Sequence, residues 1–105
     1  MNLWKMILSE GNYMDLSEVR KDIDIVDKEM KELFKKRMGL AKKVAAIKAE
    51  THDNVYKPDR EKAIIESLLE NVEPDIKEEY KDFLVNLLKL SRRYQYRLLG
   101  MPEEE

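Results

Sequence analysis

A chain of 105 residues, 43% hydrophobic and 40% charged, has the size and composition of one folded domain with a modest core. Its 20 Lys and Arg are interspersed with 22 Asp and Glu, a formal net charge of -2 that leaves no basic face for a phosphate backbone, so no nucleic-acid partner is expected. No apolar run approaches the ~18 residues of a membrane span, the opening MNLWKMIL lacks the apolar length and cleavage site of a secretory signal, there is no cysteine, and one histidine, His52, cannot build a histidine-rich metal centre. A cytoplasmic protein with no membrane partner, no metal and no cofactor is expected. Abundant Lys and Glu beside a single glutamine point towards a thermophilic source.

Residues 1–13 carry a short apolar patch with Trp4, followed by the helix breakers Gly11 and Asn12, and read as an N-terminal extension of unclear role. The domain proper is expected over residues 14–100, with 101–105 a short acidic tail. Its first element is a helix from Leu16 to about Lys48, with Asp15 or Ser17 as N-cap and Glu18 in the first turn, where a carboxylate suits the helix dipole. Leu16, Val19, Ile23, Val26, Met30, Leu33, Arg37, Leu40, Val44 and Ile47 follow an alternating three-four spacing, the seam of a helix that packs along its whole length. Arginine in an apolar seam costs several kcal/mol unless an anion meets it, so something negative is expected at Arg37. A helix of this length is ~50 Å long, whereas a compact chain of this size has a radius of gyration of only ~13 Å. A second copy is the simplest cover for the overhang.

Glu50 to Val55 reads as a loop, and Pro58 sits where the first turn of a second helix accepts proline. That helix is predicted to run to about Asn71, with Ile64, Ile65, Leu68, Leu69 and Val72 inward and Glu61 on the same side. Pro74 is predicted to open the first turn of a third helix ending near Leu99 and Gly100. Its inner face holds Ile76, Tyr80, Phe83, Leu84, Leu87 and Leu88, then Ser91, Tyr94 and Gln95. The fold class is all-α, three helices per chain, one very long.

Polar residues therefore intrude on the inner faces of all three helices: Arg37, Glu61, Ser91 and Gln95. Lys48 follows Arg37 by eleven residues, about 20° of rotation and ~16 Å along the axis, a separation at which two cations can grip a small dianion. Arg60 can add a third positive group. Each intrusion alone has a structural explanation, such as a buried Arg37–Glu61 pair, a snorkelling Lys48, or Ser91 and Gln95 bonded to backbone. Their convergence from three helices favours a site.

Arg20, Asp27, Arg37 and Lys48 in the first helix, Pro-Asp-Arg-Glu at 58–61, and Ser91-x-x-x-Gln95 in the last resemble the all-helical chorismate mutases, over roughly residues 14–99. The resemblance implies an intertwined homodimer of three-helix protomers that converts chorismate, a dicarboxylate, to prephenate on the way to phenylalanine and tyrosine. It also implies that Arg20 and Arg37 bind the substrate carboxylates, Lys48 and Gln95 reach the ether oxygen, Glu61 meets the ring hydroxyl, and Arg60 and Ser91 complete the pocket. Lys57 departs from the pattern, because relatives commonly carry an acid there; a substrate contact from its backbone would leave the change harmless.

A Claisen rearrangement suits this residue set, since it needs no nucleophile, metal or acid-base pair, only restraint of the reactive conformer and stabilisation of charge on the ether oxygen. Two other readings share the fold: a lyase removing pyruvate from isochorismate, and a non-catalytic helical dimer that binds a metabolite of the same pathway. Arg20 and Arg37 stand seventeen residues apart, about 25 Å along one helix and about 100° apart in facing, so Arg20 is expected to reach the site from the partner chain.

Overall fold

The computed structural model describes residues 15–103 and contains, among them, three helices and no strand: α1 (Leu16–Thr51), α2 (Pro58–Leu69) and α3 (Lys77–Leu98). The expectations for residues 1–13 and for the last two tail residues lie outside the described residues.

Of the two candidate caps for α1, Asp15 takes the role. Its carboxylate accepts the Glu18 N–H at 3.0 Å, satisfying one of the unpaired donors of the first turn. At the other end α1 runs three residues past Lys48, correcting the loop expected from Glu50 onward. The Asp53 N–H closes on the Lys48 carbonyl at 2.9 Å while His52 sits at φ 56°, the left-handed residue of a Schellman ending. Histidine there takes the place usually given to glycine, which is why the helix end was not legible from composition.

The chain resolves into two compact units, Met1–Lys35 and Lys36–Glu105. The described part of the first is a single stretch of helix with no buried residue. Its seam positions Leu16, Val19, Ile23, Val26, Met30 and Leu33 are 38–65% exposed.

In the second unit the core is Ala41, Ala45, Val55, Leu84, Leu88 and Tyr96, joined by the buried polar residues Ser91 and Gln95. What α1 buries in its own chain is therefore a strip of alanines rather than the expected large side chains; Leu40, Val44 and Ile47 remain 40–59% exposed. Counting large apolar residues passed over the alanines, because a methyl group contributes little to a hydrophobic pattern yet is fully covered by a close neighbour.

Pro58 opens α2 as predicted, at the position where its missing N–H and fixed φ cost nothing. The helix stops at Leu69, two residues before the expected end, and Asn71 turns the chain at φ 61°. Ile64, Ile65 and Leu69 are half-buried, Leu68 is exposed, and α2 packs on α3. Pro74 does not begin a helix: it occupies the second position of a turn closed by the Ile76 N–H on the Glu73 carbonyl at 3.2 Å, and α3 starts only at Lys77. Two expected core residues, Ile76 and Phe83, are about half exposed, Phe83 stacking on Tyr80 at 6.0 Å between ring centroids. Gly100, at φ 65°, ends α3 with the paired Schellman bonds Met101 N–H to Tyr96 carbonyl (2.9 Å) and Gly100 N–H to Arg97 carbonyl (3.2 Å). Among the described residues no helix is long and apolar enough to cross a membrane, and no cluster of His, Cys, Asp or Glu could hold a metal ion.

Candidate functional site

Within the Lys36–Glu105 unit all three helices line one cavity of about 420 Å³. From α1 come Arg37, Leu40, Ala41, Val44 and Lys48, which recur at the three-four spacing that stacks side chains on one face. The loop adds Val55 and Lys57, brought back against α1 by the reversal at His52. Arg60, Glu61 and Ile64 come from the first two turns of α2, and Leu88, Ser91, Arg92 and Gln95 from one side of α3. Seven of the eight residues expected to bind substrate thus converge. The eighth, Arg20, is exposed in the Met1–Lys35 unit and is not among the lining residues.

The wall carries five cations, Arg37, Lys48, Lys57, Arg60 and Arg92, and one acid, Glu61. Glu61 is taken up by Arg92, whose Nη1 donates to its Oε1 with both side chains more than four-fifths covered. The Lys57 ammonium pairs with Asp53, which holds the Asp53 carboxyl below its ordinary value, chiefly through that hydrogen bond. Among the described residues no carboxylate pairs with Arg37 or Arg60. The anion expected at Arg37 is therefore not supplied by these residues, and the cavity is left with an excess of positive charge suited to a small dianion.

Lys48 donates from Nζ to the Val55 carbonyl at 2.7 Å, which orients its ammonium in the cavity wall. Burial lowers its pKa from the ordinary 10.5; Asp53 and then Glu61 oppose that shift and Lys57 adds to it. Gln95 is 6% exposed, donates from Nε2 to Ser91 Oγ at 3.3 Å, and leaves its carbonyl Oε1 buried without a partner. A half-turn of the amide lets the Ser91 hydroxyl donate to Oε1 and puts the N–H donor where the unpaired acceptor stands. Such a set can grip carboxylates and donate to a developing oxyanion.

A larger groove of about 570 Å³ between the end of α2 and the start of α3 holds Glu73 and Glu79 and no cation, so it offers nothing to a dianion.

Sequence reasoning passed over Arg92 and Tyr56. The Arg92 guanidinium lies 4.6 Å from the centroid of the Tyr56 ring while bonding Glu61. The signal was present in the spacing, since Leu84, Leu88 and Arg92 succeed one another at four-residue intervals on the buried side of α3.

A bifunctional chorismate mutase/prephenate dehydratase of Aquifex aeolicus (strain VF5) is 38% identical over 55 residues, 52% of this chain and 15% of that protein, so the match spans less than a fifth of the relative's length. No solved structure matches the chain. The family description of type II chorismate mutases matches residues 19–96, from the first turns of α1 to the end of the cavity wall on α3, and the chain belongs to that family.

Proposed function

We propose that the protein converts chorismate to prephenate as a homodimer, each cavity being completed by Arg20 from the partner chain. The observation that carries the reading is the convergence of Arg37, Lys48, Arg60, Glu61, Ser91 and Gln95 on one cavity with surplus positive charge. The reaction breaks the ether C–O bond as a new C–C bond forms in a six-membered transition state, with no proton or group leaving the molecule. Arg37 and the partner's Arg20 grip the two carboxylates and hold the compact reactive conformer. Lys48 and the Gln95 amide donate to the ether oxygen as negative charge grows on it. Glu61 accepts from the ring hydroxyl, Arg60 and Ser91 close the wall, and Lys57 contributes through its backbone, its ammonium being engaged by Asp53. Residues 14–100 form the catalytic domain and 101–105 its acidic tail.

The dimer is supported by the first half of α1. A helix of about 20 residues that buries none of its side chains is marginal in water, and a second copy supplies the missing cover.

Two measurements test the proposal. Purified protein incubated separately with chorismate and isochorismate should yield prephenate from the first; pyruvate release from isochorismate with chorismate untouched would refute it. Arg20→Ala and Arg37→Ala homodimers should each be nearly inactive, while unfolding, equal mixing and refolding should restore roughly a quarter of the parent's sites, because each mixed dimer has one intact and one doubly defective site. No recovery, with mixed dimers demonstrated by mass spectrometry, would put Arg20 outside the partner's site.

A further inference from the structure

We infer that Arg92, braced on the Tyr56 ring, is a positioning residue that fixes the Glu61 carboxylate for recognition of the substrate's ring hydroxyl. The inference rests on the mutase reading of the cavity and adds two residues to it. Glu61 projects from the first turn of α2, and among the described residues its only recorded partner is Arg92, thirty-one positions away on α3. The bond uses Oε1, and a carboxylate has a second oxygen able to accept a hydroxyl proton in a hydrogen bond. A glutamate with three rotatable side-chain bonds holds that second oxygen in one place only if the first is tied down. Arg92 is itself held from the other side, its guanidinium 4.6 Å from the Tyr56 centroid, within the range of a cation–π contact. The three side chains thus link the loop, α3 and α2 across the cavity wall. Lysine at position 92 would keep the charge but lose the flat face that stacks on tyrosine and the fork that orients a carboxylate.

The test is a double-mutant cycle on the full chain, with kcat and KM for chorismate measured for Arg92→Leu, Arg92→Lys and Tyr56→Leu in the parent and in a Glu61→Gln background, and folding checked by thermal melting. In the parent background Arg92→Leu should lower kcat/KM by roughly 30-fold, the scale of a small misplacement of a contacting group. Arg92→Lys should recover part of the loss, and Tyr56→Leu should lower kcat/KM in the parent background but not in the Glu61→Gln background, because it removes the ring face that braces Arg92. In the Glu61→Gln background Arg92→Leu should cost less than about twofold, because there is no carboxylate left to position. Equal losses in both backgrounds would overturn the inference, showing that Arg92 meets the substrate directly or serves packing alone, and would leave the mutase reading standing. A parent protein that leaves chorismate unchanged would overturn both. If Arg92→Leu does not fold, the same cycle run with Arg92→Lys decides the question.

Discussion

Ile23→Asp tests whether a second chain covers the first half of α1. Val19, Ile23, Val26, Met30 and Leu33 recur on one face of the helix and are between 38% and 65% exposed. Complete burial of such a side chain contributes up to ~3 kcal/mol, so covering the half that is wet is worth about 1.5 kcal/mol per residue, or roughly 7–8 kcal/mol from the five in each chain. Aspartate at position 23 removes one of those contributions and places a carboxylate where the partner's apolar face should lie, at a cost of several kcal/mol if it stays ionised. In a symmetric dimer the change occurs twice, giving at least ~6 kcal/mol and a rise in dissociation constant of more than ten-thousandfold. Light scattering at micromolar concentration should give twice the 12.5 kDa chain mass for the parent. Ile23→Asp should give the single-chain mass together with loss of helicity and of mutase activity, and Lys21→Asp, on the opposite side of the helix, should behave as the parent. An Ile23→Asp protein with the parent's mass and melting temperature would refute the reasoning.

Gln95→Glu replaces a donor by a carboxylate that can only accept at neutral pH, so activity should fall by about 100-fold or more at pH 7 and recover as the acid protonates on lowering the pH; a profile matching the parent's would remove Gln95 from contact with the ether oxygen. Burial lowers the Lys48 pKa, so its proton leaves as pH rises through a value below the ordinary 10.5. The alkaline limb of kcat/KM should accordingly fall below pH 10.5 and shift upward in Lys48→Arg, and an unmoved limb would exclude Lys48 as its source. His52 bears a left-handed conformation that a Cβ disfavours, and His52→Gly should raise stability by ~1 kcal/mol in denaturant unfolding; a loss of that size would show that its side chain matters more than the strain.

The helical class, the proline start of α2 and the glycine stop of α3 were legible in the chain, because hydrophobic spacing and the special geometry of Pro and Gly are properties of local sequence. That Arg37, Glu61, Ser91 and Gln95 share a cavity wall was foreshadowed as well, since polar groups on otherwise apolar faces announce themselves by position. The ends of α1 and α2 were not, because His52 and Asn71 adopt backbone conformations that their identities permit without requiring. Nor could periodicity choose which strip of α1 faces its own chain: Ala41 and Ala45 won over Leu40, Val44 and Ile47, and that choice depends on what packs opposite. The pairing of Glu61 with Arg92, and of Arg92 with Tyr56, depends on the tertiary structure in the same way. A charge on a helix face has several partners within reach, and only the packing of α2, α3 and the intervening loop selects the one it meets.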